Sequence, residues 1–419
     1  MNLFHILALL LAIAALFSYL NHRFLKLPTT IGMMMIALLF SLGLLMLKPL
    51  VEGLEDKVVL MLRSVDFDAT VLHGMLGFLL FAGALHVNLT DLAEQRWMIS
   101  FLATFGIIGS TAIIGVLSWW AFGLTGLEIP FIDCLLFGAL ISPTDPIAVL
   151  GILKQVGAPK SLEAKITGES LFNDGVAIMV FLVIAAIAAG NDHISTWSVI
   201  GLFLREAAGG VLFGLAAGFV AYRMLRDVDN YQVEMLITLA LVTSGYALAE
   251  KLQLSAPIAI VVAGLLIGNH GKLLPMPERT REHLDTFWVL MDEILNAVLF
   301  VLIGLEMLVL VFREQYLVAG LIAIPIVLLA RFITVGLPIT LMRRFRNFSP
   351  NAVKIITWGG LRGGFSIALA LSLPAGKVRG TLVAITYIVV VFSILVQGLT
   401  IGRLIKRLET RRSAPGSGA

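Results

Sequence analysis

Apolar residues run along this chain in long blocks with no polar face, each closed by a short cluster of charged or turn-forming residues. A helix needs about 20 apolar residues to cross the hydrocarbon core of a bilayer. Scanning for such blocks gives about thirteen, with edges uncertain by a few residues. They lie near 3–20, 28–47, 70–89, 97–123, 131–152, 165–190, 196–222, 232–249, 254–268, 293–311, 316–341, 351–373 and 380–402. The pattern predicts an all-α polytopic membrane protein whose ninth span is short.

Composition sharpens this. Of 419 residues, 59% are hydrophobic and only 14% charged, with a mean hydropathy of +0.97. Soluble domains carry about 25% charged residues, so a water-soluble protein is excluded. The first block has no basic stretch before it and no small-residue cleavage site, and is expected to be a retained helix. Cys134 is the only cysteine, so no disulfide framework exists.

The formal charge of +3 says less than its placement. One alternate set of loops collects most of the lysines and arginines, including Arg23, Lys26, Arg96, Lys154, Lys160, Arg223, Arg226, Arg279, Arg281, Arg343, Arg344 and Arg403. The other set has only Lys48, Lys57, Arg63, Lys251, Arg313, Lys377 and Arg379. By the positive-inside rule the C-terminus is cytoplasmic and, with an odd number of spans, the N-terminus lies outside. The last residues, 411–419, are expected to form a flexible tail.

Charges at membrane depth are costly and mark function or a structural pair. They are few: Arg205, Arg331 and Arg362, with Asp145, Glu169, Asp174, Glu206 and Glu306. The fifth span reads Ser142-Pro-Thr-Asp-Pro-Ile-Ala-Val149. Proline lacks the amide donor and clashes with the preceding turn, so Pro143 and Pro146 should unwind the helix around Thr144 and Asp145. Irregular backbone at that depth survives only inside protein or beside an aqueous cavity. An acid on such a break can hold a cation with help from freed carbonyls. A mere kink would not need the acid.

The sixth span reads Gly168-Glu-Ser-Leu-Phe-Asn-Asp174. Ser170 and Asp174 share one helix face, as do Glu169 and Asn173. Interhelical hydrogen bonding could account for Ser170 and Asn173, but two carboxylates this close are expensive for packing alone. The twelfth span supplies a countercharge in Gly359-Gly-Leu-Arg-Gly-Gly364, where the glycines weaken the helix and permit close approach. Arg362 needs an acidic partner. Glu169 is the expected one, leaving Asp145 and Asp174 for an ion. Glu306 and Arg331 could form a second, structural pair.

These three motifs, in this order and spacing, closely resemble the NhaP-type cation/proton antiporters, the family that includes the eukaryotic Na⁺/H⁺ exchangers. The resemblance covers nearly the whole chain, as a transporter domain over 1–410. It implies two inverted repeats, about 1–190 and 231–402 in this sequence, joined by a linking helix at about 196–222. The interrupted fifth and twelfth helices would then cross at the midplane. It implies that Asp174 is the main ion carboxylate, that Asp145 joins it in holding Na⁺, and that Thr144 and Ser170 lend oxygens. Asn173 matches the family's Asn-Asp pair, which implies one cation exchanged per proton. Glu169 and Arg362 match the family's structural ion pair, and a homodimer in the membrane lipid is implied, sited away from the ion-binding core. One departure stands out. Some archaeal members bring a further acid from an early helix, whereas the third span here, around Phe78 to Asn88, has no acid, and its nearest polar groups are His86 and Asn88.

A dehydrated carboxylate is neutralised by either a cation or a proton. If the core crosses the barrier only when neutralised, exchange is obligatory. The expected activity is therefore Na⁺ (or Li⁺) for H⁺ antiport in a prokaryotic plasma membrane, with K⁺/H⁺ exchange as the alternative. No cofactor, nucleic-acid partner or enzymatic activity is expected. An intramembrane enzyme would need a Ser/His pair, a metal motif or an Asp dyad. No histidine lies in the motif spans, and although Asp145 and Asp174 could imitate a dyad, the flanking Asn173 and Arg362 motifs argue against it. A channel would lack saturable counterflow.

Overall fold

The computed structural model describes residues 3–47, 67, 70–146, 149–150, 153, 160–189, 196–273, 278–310, 313–342 and 351–413. Among the described residues every apolar block is mainly helical, with breaks after Ile141 and between Trp358 and Gly364. In chain order these are α1 (Leu3–Leu20), α2 (Thr29–Leu47), α3 (Leu76–Leu85, entered through a π turn at Thr70–Met75) and α4 (Leu89–Leu124). Then come α5 (Phe131–Ile141), α6 (Lys160–Ala188), α7 (Thr196–Arg226), α8 (Tyr231–Lys251) and α9 (Ala256–Leu273). The series ends with α10 (Glu278–Glu306), α11 (Glu314–Met342), the split α12a (Ala352–Trp358) and α12b (Gly364–Leu371), and α13 (Lys377–Phe392). A π turn carries α13 on into Gly398–Ser413, and residues 414–419, most of the expected tail, lie outside the described residues.

Among the described residues, nine helices are long and apolar enough to cross a membrane. Helices α3, α5 and α9 are shorter. Large apolar side chains such as Leu11, Leu16, Trp119, Trp120 and Leu212 are exposed, as befits faces turned to lipid. The chain is an integral membrane protein.

Two helices begin well before their apolar blocks. Helix α4 starts at Leu89 because the Asn88 side chain accepts from the Thr90 amide and caps it, with Asp91 in the first turn. Helix α10 starts at Glu278, so its first half carries Glu282, Asp285, Asp292 and Glu293 within a continuous helix.

Packing follows the small residues. Along α7, Gly210, Gly214 and Gly218 lie against α9. A Cβ at Gly210 would fall 2.8 Å from the Ser255 carbonyl, and one at Gly218 would fall 3.0 Å from the Ala263 Cα. Small residues let two backbones touch where lipid gives no hydrophobic drive to associate. The same device joins α4 to α5, where Gly138 sits on the Thr111 carbonyl. Helix α9 also lies on α3, α10 on α2, and α11 on both α4 and α13. The interior is built around α5 and α12b, where Phe137, Leu140, Ile367 and Ala370 are fully buried.

Candidate ion-binding site

The two interrupted helices meet at their breaks. Helix α5 makes its last turn with the Ser142 amide donating to Gly138 O at 3.1 Å, and Pro143 then ends it. The Asp145 amide leaves the helix and donates to Leu361 O at 2.8 Å, forming an isolated antiparallel bridge between the two unwound segments. Among the described residues this is the only bridge outside helices. Helical bonding resumes with the Leu150 amide on Pro146 O at 2.8 Å.

Glycine makes this crossing possible. A Cβ at Gly363 would occupy the place of the Asp145 carboxylate. A Cβ at Gly360 would fall 2.7 Å from Arg331 Nε and 3.2 Å from Thr144 Cγ2. The carboxylate of Asp145 thus lies beside the start of α12b, where the helix dipole favours an anion. At the other end of the crossing, Arg362 Nη1 donates to the carbonyls of Ser142 and Pro143 at 2.8 and 2.9 Å. A cation there meets the negative end of α5. The Arg362 amide is itself held by Ser393 Oγ at 2.9 Å, and Ser393 Oγ donates to Gln397 Oε1 at 2.7 Å.

The pairing differs from the sequence expectation. Glu169 is bound in bidentate fashion by Arg331 of α11, with Arg331 Nη2 to Glu169 Oε2 at 2.8 Å, and not by Arg362. The physical reason is the bare backbone of Gly360, which leaves room for Arg331, while the guanidinium of Arg362 is turned to the α5 carbonyls. Glu169, Arg331 and Arg362 are all buried, each 4% exposed or less. Arg331 is therefore a structural partner, though for Glu169. Glu306 instead lies within electrostatic reach of Arg379.

The remaining predicted groups assemble at the crossing. Thr144 Oγ1 and Ser170 Oγ are 3.1 Å apart, and Asn173 Nδ2 donates to Thr144 Oγ1 at 2.9 Å. Asn173 is fully buried, so its amide braces the unwound strand against α6. Asp145 and Asp174 are each partly exposed and open on one cavity of about 950 Å³, together with Thr144 and Ser170. Asp174 lies within electrostatic reach of Asp145.

Sequence reasoning missed two groups on this cavity, Asp292 and Asn296 of α10. Asp292 falls one residue before the predicted span 293–311, and Asn296 falls inside it as a lone neutral side chain. The usable signal was the spacing of Asp285, Asp292 and Asn296, which places three polar side chains on one face of an extended helix.

Among the described residues, no group of three His, Cys, Asp or Glu side chains is close enough to hold a metal ion. The crossing therefore offers two carboxylates and neutral oxygens.

The chain was compared with known proteins. A model of the family described as "Sodium/hydrogen exchanger, transmembrane" matches residues 10–407. The Na⁺/H⁺ antiporter NhaP of Pseudomonas aeruginosa is 50% identical over 406 residues, covering 96% of both chains. The Na⁺/H⁺ antiporter NhaH of Halobacillus dabanensis is 35% identical over 394 residues, covering 92% of this chain and 93% of its own. The solved sodium proton antiporter MjNhaP1 of Methanocaldococcus jannaschii superposes with a TM-score of 0.74 at 20% identity, over 95% of this chain and 100% of its own, and shares the fold.

Proposed function

Because this chain belongs to the sodium/hydrogen exchanger family, whose members are antiporters, we propose that it exchanges Na⁺ or Li⁺ for H⁺, one for one, through Asp174 and Asp145. The observation that carries this reading is the placement of both acids on one cavity at the crossing of two unwound helices. Every other charge at the crossing is answered. Glu169 has Arg331, and Arg362 has the carbonyl end of α5. Asp145 and Asp174 both line the cavity, where a cation or a proton can reach them.

Cation and proton then compete for the same oxygens. Replacing Na⁺ by H⁺ leaves the site charge unchanged, and an empty site holds carboxylates whose passage through a dry barrier is costly. Thr144 and Ser170 supply neutral oxygens, and Asn173 fixes their geometry through Thr144. Alternating access then consists of moving the crossing relative to the helices around it.

The cavity also gives a direction. Its rim is formed by Lys26, His86, Asp91 and Glu163, from the ends of spans joined by the lysine- and arginine-rich loops. In the proposed topology these loops face the cytoplasm, with the N-terminus outside, so the described state opens inward. The reading includes a homodimer in the plasma membrane, formed by helices away from the crossing.

Reconstitution in proteoliposomes tests the proposal. Proton flux should appear on adding Na⁺ or Li⁺ and saturate with cation concentration. Flux driven only by K⁺ would move the assignment to K⁺/H⁺ exchange. Unsaturable conductance would replace the carrier by a channel.

A further inference from the structure

The cavity is more acidic than the proposed exchange site requires. Among the described residues lining it are Asp91, Asp145, Glu163, Asp174, Asp292 and Glu293, against Lys26 as the only lysine or arginine. Asp91 and Glu163 belong to the rim, and Asp145 and Asp174 to the crossing; Asp292 belongs to neither. It is only partly exposed, in the middle of α10, and lies within electrostatic reach of Asp145. Asp145 in turn reaches Asp174. The three acids form a sequence along one cavity, with Asp145 in the middle.

A cluster of acids alone could be a diffuse attractive field. A second observation makes it a site. Asn296, one helical turn beyond Asp292, is 3% exposed and lines the same cavity. Its Nδ2 donates to Asp292 O at 2.8 Å, and its side chain also hydrogen-bonds the Asp292 carboxyl, which ties the two groups together and leaves Oδ1 as the free end. That oxygen is buried and has no hydrogen-bond partner. A buried acceptor left unmatched costs about 1–3 kcal/mol. A carboxylate and an amide oxygen on one helix face, beside a further acid, make a donor set for a small monovalent cation.

We propose that Asp292 and Asn296 Oδ1 form an entry subsite for the transported cation, which is held there on its way to Asp145 and Asp174. The subsite rests on the antiport reading above and deepens it.

The test is the apparent KM for Na⁺ in reconstituted exchange, with four variants beside the unaltered chain. Asp292→Asn should raise KM about tenfold, equivalent to ~1.4 kcal/mol, with Vmax largely kept at saturating Na⁺. Asn296→Leu removes the amide oxygen without burying a charge, and should raise KM in the same direction. Asp292→Glu should restore most of the affinity. Glu293→Gln, an exposed neighbour, should leave KM near the parental value. An unchanged KM in Asp292→Asn, or in Asn296→Leu where that aspartate variant fails to fold, overturns the subsite. So does an equal rise in Glu293→Gln, which would mean a diffuse field. Absence of exchange by the unaltered chain would instead sink the antiport reading itself.

Discussion

Asp174 and Glu169 sit five residues apart on α6, about 140° round the helix, and have opposite fates, because one opens on the cavity and the other is buried against a guanidinium. Asp174→Asn should therefore abolish cation-driven proton flux while the protein keeps its thermal stability, since it removes a titrating ligand from a polar wall. Near-parental exchange by that variant would exclude its central role. Asp145→Asn should be severely impaired, with residual cation binding through Thr144 and Ser170. Glu169 and Arg331 belong to stability. Removing one member of a buried pair costs about 3–5 kcal/mol, because the other is left uncompensated. Arg331→Ala should accordingly lower the melting temperature in detergent, and adding Glu169→Gln to it should recover part of the loss. Arg362→Ala combined with Glu169→Gln should give no such recovery, because Arg362 serves backbone carbonyls. Recovery in the Arg362 series and none in the Arg331 series would reverse the pairing drawn here.

At the scale of elements, the break at Gly359–Gly363 is as necessary as the carboxylates. Gly363→Ala adds a methyl where the Asp145 carboxylate lies, so Asp145 or the backbone must move. Exchange should fall by at least tenfold, as for a displaced ligand, while membrane insertion is unaffected; a parental rate in Gly363→Ala would mean that the carboxylate is free to rearrange. Much of this crossing was legible in the sequence. Pro143 and Pro146 announce one break and four glycines the other, since both act on the backbone locally. The partner of Glu169 was not legible. It depends on which guanidinium the register of α11 against the crossing brings near, and on the space left by Gly360, and both are tertiary facts. Asp292 was missed for the opposite reason. The charges of Glu282, Asp285 and Glu293 end the apolar run, although the helix continues through them and reaches the cavity at Val289, Asp292 and Glu293.

For the whole molecule the decisive quantity is the net charge that crosses the membrane in one cycle. Asn173 is neutral, fully buried, and used as a donor to Thr144. It therefore adds no carboxylate next to Asp174, and in the proposed one-for-one exchange the site carries the same charge with Na⁺ as with H⁺. A one-for-one exchange then moves no net charge, and the membrane potential does no work on it. If one net charge did move, a potential would contribute about 2.3 kcal/mol per 100 mV, or about fortyfold in the steady-state gradient per 100 mV at ~1.4 kcal/mol per tenfold. Proteoliposomes clamped with K⁺ and valinomycin should thus show the same steady-state Na⁺ gradient at either sign of potential. Asn173→Asp probes the same balance. It replaces a buried donor with a second anion, and no lysine lies in α11 to offset it. That variant should be less stable or inactive, with no gain of potential dependence. A steady-state gradient of the unaltered chain that followed the imposed potential would overturn the one-for-one stoichiometry and leave its membership of the antiporter family untouched.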